Sequence, residues 1–158
     1  MELLTLSGVA LAARIRSGEV SSREVVAAHI SKIESVNPRL NAVVADRFDA
    51  ALKEADRADA RRGEEGLGPL HGVPCTIKEC FALTGMPNAS GLVARRDIRA
   101  EADATAVARL RAAGAIPMGV TNTSELCMWM ETSNRLYGRT NNPYDPRRIV
   151  GGTCEMTY

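Results

Sequence analysis

Lys78 ends the run Gly-Pro-Leu-His-Gly-Val-Pro-Cys-Thr-Ile at positions 68–77, a short β-like stretch fenced by Gly72 and Pro74. Lysine ordinarily stays in solvent, and one delivered at the end of an apolar run is a candidate catalytic amine. The next groups with chemistry in them are four thiols: Cys75, Cys80, Cys127 and Cys154. Their spacing matches neither paired zinc ligands nor a dense disulfide framework, so reduced thiols are expected. Cys75, inside Val-Pro-Cys-Thr-Ile, is expected to behave as a small core residue. Two histidines, His29 and His71, are too few for a histidine-based metal site unless carboxylates or thiols complete it. No metal and no cofactor is expected.

Downstream of Lys78 come Gly85-Met86-Pro87-Asn88-Ala89-Ser90-Gly91, then Ala102-Asp103-Ala104-Thr105, then Leu110-Arg111-Ala112-Ala113-Gly114. Thr121-Asn122, Ser124-Glu125, Ser133-Asn134, Tyr137-Gly138-Arg139-Thr140-Asn141-Asn142-Pro143 and Gly151-Gly152 follow. This ordered succession resembles the amidase signature family of serine hydrolases. The stretches Val-Pro-Cys-Thr-Ile-Lys-Glu, Gly-Met-Pro-Asn-Ala-Ser-Gly-Leu and Ser-Glu-Leu-Cys-Met-Trp look most like its fatty-acid amide hydrolase 2 branch. The likeness is loose over the whole chain and strong over residues 68–152.

The resemblance implies hydrolysis of fatty-acid or other small apolar amides. An amide carbonyl is a weak electrophile with a poor leaving group, so its hydrolysis needs an activated nucleophile, a proton donor and an oxyanion pocket. The family uses two serines and a lysine. In that scheme Lys78 is the base, kept neutral by burial and hydrogen bonding. A bridging serine, held by a cis peptide, relays the proton from the attacking serine and returns it to the leaving amine.

At the decisive place the sequence departs from the pattern. Thr153 and Cys154 replace the expected serine pair, and Glu155 and Met156 the following glycines. Thr153, at the bridging position, keeps a hydroxyl, but its methyl stiffens χ1. A cis bond before a non-proline residue costs roughly 3 kcal/mol. The family's nucleophilic serine lies further on than Tyr158. The chain is therefore expected to be the N-terminal part of one amidase domain, truncated before the nucleophile and inactive by itself. Cys127 and Met128 resemble the wall beside the catalytic centre, where soft apolar groups suit an acyl chain. The alternative for them, and for Trp129, is a helix packing its apolar side into the core.

These groups need elements to hold them. Ser7 to Ser17 reads as a helix with Val9, Leu11, Ala12 and Ile15 on its apolar side, ended by Gly18. Ser21 with Glu24 forms a capping box for a second helix, with Val25, Val26, Ile30 and Ile33 on one face and a stop before Pro38. Arg47 to Arg62 has helical propensity and a solvated charged face. Residues 1–62 form a helical lead-in, and 63–158 the first part of an α/β core. Val73–Ile77 reads as a buried strand, Asp103 as the cap of a helix containing Val107 and Leu110, and Ala115–Val120 as a second strand. Strand, helix, strand predicts a parallel layer. The resemblance implies an incomplete amidase-type mixed sheet flanked by helices.

With 20 basic against 19 acidic side chains the net charge is +1, which gives no case for nucleic acid or an anionic membrane surface as a partner. The N-terminus lacks a basic leading segment and is broken by Glu2, Thr5 and Ser7, and no stretch approaches a membrane span. A cytoplasmic protein without a membrane anchor is expected. Its partner is a small apolar amide once the domain is completed. A non-catalytic reading makes the chain a truncated product or an interaction fragment that self-associates through exposed core. A further reading, a glutamine amidotransferase-type subunit, fits Met86-Pro87-Asn88 and Leu126-Cys127-Met128-Trp129 less well.

Overall fold

The computed structural model describes residues 2–151. Four helices and five strands follow in order: α1 (Gly8–Ser17), α2 (Ser22–Leu40), β1 (Val43–Asp46), α3 (Phe48–Ala60), β2 (Pro74–Lys78), α4 (Thr105–Ala112), β3 (Ile116–Thr121), β4 (Ser133–Asn134) and β5 (Gly138–Arg139). They build two compact units, each from separated segments. One comprises Met1–Glu34, Arg47–Thr76 and Thr105–Met118, the other Ser35–Asp46, Ile77–Ala104 and Gly119–Tyr158.

In the first unit the expected helix signals operate. Ser7 caps α1 through its side chain, which accepts from the Ala10 amide, and Gly18 closes the helix in the left-handed region at φ 79°. The Ser21 amide donates to the Glu24 carboxylate at 2.8 Å while the Glu24 amide donates to Ser21 Oγ at 3.0 Å, a reciprocal capping box. Leu11, Ala12 and Ile15 are buried with Val25 and Val73. Val9 is not part of that face: it is 78% exposed. A second cluster joins Val26 and Ile30 of α2, Ile116 and Met118 of β3, and Ala51, Ala55 and Ala58 of α3. These alanines recur every three or four residues, so they form one helix stripe whose small side chains permit close approach. Partly buried Glu54, on the same helix, pairs with Arg47 at 2.6 Å and Arg111 at 3.4 Å, so the polar side of α3 is more than a solvated face.

Pro38 does not stop α2, which runs on to Leu40. Proline there removes one bond in the last turn, and Asn37 compensates around it. Its Oδ1 accepts from the Ala42 and Val43 amides, its Nδ2 donates to the Val43 carbonyl, and the Asn41 amide closes on the Asn37 carbonyl at 2.7 Å.

The sheet is ordered β1-β3-β2, with β3 buried along its whole length. β1 runs antiparallel to β3, pairing Asp46 with Gly119 and Val43 with Thr121 across a bulge. Bonds from Ile116 N to the Val73 carbonyl and from Glu79 N to the Thr121 carbonyl advance together along the chain, so β2 and β3 are parallel. The sheet is mixed; the parallel layer expected from strand, helix, strand is only its β2–β3 half. Gly119 is required at the pairing edge, because a Cβ there would lie 2.5 Å from the Ala45 carbonyl oxygen. Pro117, which has no amide hydrogen to give the ladder, sits between two bonded positions of this central strand. The Ile116 amide bonds the Val73 carbonyl at 2.8 Å, and the Met118 carbonyl accepts from the Arg47 amide at 2.9 Å. Among the described residues no helix is long and apolar enough to cross a membrane.

Candidate functional site

β2 carries Lys78 to its C-terminal end, where the chain turns as the Phe81 amide donates to the Lys78 carbonyl at 2.8 Å. In a strand alternate residues share a face, so Ile77, which is buried, and Glu79 point the same way. Glu79 is fully buried. Its Oε1 accepts from the Ala89 amide and from the Tyr137 hydroxyl at 2.8 Å, and its backbone carbonyl accepts from Asn88 Nδ2 at 2.9 Å. Its other carboxylate oxygen has no hydrogen-bond donor among the described residues. Burial, and then the hydrogen bond to Glu79, hold the Tyr137 hydroxyl well above its usual range. Glu79 thus ties the end of the lysine strand to the 88–90 loop and to Tyr137. The reading of the sequence missed it, although period-two alternation from Ile77 marks it as facing inward.

The segment Thr121-Asn122-Thr123-Ser124 is polar and entirely buried, so each group must find a partner inside the protein. Asn122 Nδ2 donates to the Gly138 carbonyl and Thr140 Oγ1 at 3.1 and 3.0 Å, and its Oδ1 accepts from the Thr123 amide and Asn134 Nδ2. Asn134 also donates to the Thr123 carbonyl at 2.7 Å, while its Oδ1 accepts from the Leu136 and Tyr137 amides. Gly91 packs against this same Asn134: a Cβ there would come within 2.9 Å of the amide side chain. The motif residues at 91, 122, 134, 138 and 140 therefore act as one framework beside the lysine strand.

After Ser124 the backbone turns sharply, with both Leu126 (φ 51°) and Cys127 (φ 59°) left-handed. That conformation costs an L-residue roughly 1–2 kcal/mol, and here it is supported by the bond from Leu126 N to the Ser90 carbonyl at 2.8 Å. The turn places Cys127 Sγ 3.4 Å from Thr123 Oγ1, where the Lys78 charge acts on the thiol. Burial opposes ionisation of Cys127, but the bonds from Thr123, Cys80 and Lys78 and the lysine charge outweigh it and hold the thiol below its usual range. Cys80 goes the other way, pushed up to about 11 by burial and by its bond with Cys127. Cys75 is pushed up to about 11 chiefly by burial.

Of the residues expected at a site, Lys78 ends β2 and Cys127 sits in the left-handed turn after Ser124, where the lysine charge lowers its thiol. Met128 is 77% exposed, and Trp129 and Met130 are also largely exposed. No core-packing helix forms there, only a three-residue 3-10 turn, Glu125–Cys127. Thr153 lies outside the described residues. His29 bonds the Val25 carbonyl and His71 the Ala58 carbonyl. Among the described residues no group of His, Cys, Asp and Glu is placed to hold a metal ion.

The arrangement fits the family named by the motifs, and the family pattern described as Amidase matches residues 24–154. This chain belongs to the amidase family. It is 58% identical to fatty-acid amide hydrolase 2-B of Danio rerio over 96% of its own length, and 53% identical to human fatty-acid amide hydrolase 2 over the same share. It spans about 30% of the length of those relatives. The fold superposes on a solved fatty acid amide hydrolase with a TM-score of 0.89 at 27% identity, covering 96% of this chain and 27% of that one. The mixed sheet with flanking helices is the corresponding part of the amidase fold.

Proposed function

We propose that these residues form the N-terminal part of a serine amide hydrolase acting on fatty-acid or other small apolar amides. The supporting observation is Lys78 at the end of β2, fixed by the buried Glu79 beside it, in a chain this similar to fatty-acid amide hydrolase 2. Lys78 takes a proton through the hydroxyl at position 153 from an attacking serine, and the protonated relay then gives it to the departing amine. Cys127 and Met128 line the acyl side. The chain spans about 30% of its fatty-acid amide hydrolase 2 relatives, and in this reading the attacking serine belongs to the part of the domain that these residues do not match. No metal or cofactor takes part. The three described cysteines are free thiols, which suits a reducing compartment such as the cytoplasm.

The test is a fluorophosphonate serine probe applied to the 158-residue chain and to a chimera joining residues 1–151 to the remainder of human fatty-acid amide hydrolase 2. The chain alone should stay unlabelled. The chimera should label and hydrolyse a long-chain amide, and Lys78→Ala should abolish both. Labelling of the chain alone, or a Lys78→Ala chimera that still turns over, would contradict the reading.

A second reading, a non-catalytic fragment that associates with itself or other proteins, draws on the exposed run of Leu126, Met128, Trp129 and Met130. Concentration-dependent sedimentation that Trp129→Ser suppresses would favour it.

A further inference from the structure

We propose that Glu79 is a positioning residue for the amide hydrolysis, one whose carboxylate couples the strand end that carries Lys78 to the turn that carries Cys127 and Met128. The proposal rests on the amidase reading above and adds to it the residue that keeps base and acyl wall in one register. Glu79 directly follows Lys78, and its amide donates to the Thr121 carbonyl at 2.9 Å, which pins the strand end to β3. Its side chain is fully buried, and two donors converge on Oε1, the Ala89 amide and the Tyr137 hydroxyl. Oε2 has no hydrogen-bond donor among the described residues, so the side chain acts through a single atom.

Two hydrogen-bonded arms run from that atom to the same turn. Along the first, the bond to the Ala89 amide holds the loop whose next residue, Ser90, accepts from the Leu126 amide at 2.8 Å. Ser90 is itself left-handed at φ 52°, as are Leu126 and Cys127, so this bond joins two strained stretches of chain. Along the second arm, Tyr137 donates its hydroxyl to Oε1 and its amide to Asn134 Oδ1 at 2.7 Å, and Asn134 Nδ2 donates to the Thr123 carbonyl at 2.7 Å. The arms grip the segment 123–126 from both ends. A left-handed turn of non-glycine residues relaxes when its support is removed, so loss of the shared acceptor releases the turn and the strand end together. A misplacement of about 1 Å near reacting groups can cost about 100-fold in rate.

The chimera of residues 1–151 with the remainder of human fatty-acid amide hydrolase 2 is assayed on a long-chain and a short-chain amide, and amide hydrogen exchange is followed in the 158-residue chain. Glu79→Met should lower kcat on the long-chain amide by up to about 100-fold and weaken its preference over the short-chain one, because base and acyl wall shift together. Tyr137→Phe, which frees one arm, should do both to a smaller extent, and it carries the test if Glu79→Met fails to fold. Glu79→Gln keeps an acceptor oxygen for both donors and should recover the rate and the preference lost in Glu79→Met. In the 158-residue chain, Glu79→Met and Tyr137→Phe should speed exchange of the Leu126 amide, which bonds Ser90, more than that of the Ala100 amide, which bonds Met86. A parent chimera without activity would overturn the amidase reading alone, and exchange at Leu126 would then decide the coupling. Glu79→Gln as impaired as Glu79→Met, a fall in kcat with the chain-length preference intact, or equal acceleration at Leu126 and Ala100 would each overturn the proposal.

Discussion

Tyr137 donates its hydroxyl hydrogen to Glu79 Oε1 at 2.8 Å, joining residues 58 positions apart. Because Glu79 has no access to water, its carboxylate depends on the few donors that reach it. Tyr137→Phe removes one of them without changing the shape of the ring. We expect a loss of about 1–3 kcal/mol, the range for a hydrogen bond to a buried polar or charged acceptor. Urea unfolding of the two chains measures it, and an unchanged midpoint would mean that Glu79 does not rely on this hydroxyl.

The same pair predicts an alkaline effect. Burial and the hydrogen bond to Glu79 raise the Tyr137 hydroxyl above its ordinary 10.0 in the folded state. The folded protein therefore favours the protonated phenol. Its contribution is complete below pH 10 and declines once the unfolded tyrosine ionises more readily than the folded one. The stability of the parent chain should fall with pH above about 10 more steeply than that of Tyr137→Phe, since only the parent can lose this term. Parallel curves for the two chains would remove the tyrosine from the explanation.

Alkylation should separate the described thiols. Cys127 is lowered by Thr123, Cys80 and Lys78 against the effect of its burial, whereas Cys75 and Cys80 are pushed up to about 11. Iodoacetamide at neutral pH should therefore mark Cys127 before Cys80 and Cys75, because the thiolate is the reacting form. Lys78→Met removes a positive charge that favours the Cys127 thiolate and should slow its labelling. A Cys127 rate indifferent to residue 78 would mean that the lysine charge does not act on this thiol.

Local rules made much of this legible in the sequence. The Ser21–Glu24 capping box and the Gly18 stop are satisfied by atoms within a few residues, so sequence spacing alone defines them. Lys78 at a strand end follows from punctuation by Gly72 and Pro74. What stayed hidden depends on partners far away in the chain. Pro38 is accommodated because Asn37 folds back onto residues 42 and 43. Val9 has helical spacing for the apolar face, but no packed neighbour covers it. β1 joins β3 antiparallel, a pairing that a strand-helix-strand pattern does not encode. The turn that places Cys127 needs two successive left-handed residues at 126 and 127, neither of them glycine, and sequence gives no warning of that.

The start of the lysine strand rests on a close approach of two turns, and glycine is what allows it. Leu70 N and Gly72 N donate to the Ala113 and Gly114 carbonyls at 2.8 and 2.9 Å. Gly114 itself has φ +93°, and a Cβ on it would lie 2.6 Å from the Cα of His71 and 2.9 Å from its amide nitrogen. Both are backbone atoms, so a rotamer change cannot relieve the overlap. Gly85 has a comparable φ of +80° with nothing within 4 Å of its would-be Cβ, and so isolates the cost of conformation alone. Gly85→Ala should cost about 1–2 kcal/mol, the penalty of a left-handed L-residue. Gly114→Ala should cost more, about 3–5 kcal/mol, because strain and displacement of the 68–72 turn add to that penalty. Urea unfolding of both variants gives the difference, which measures how firmly the two turns hold the entry to β2. Equal losses would mean that the His71 turn moves aside freely and that the position of Lys78 is set further along the strand, at Glu79.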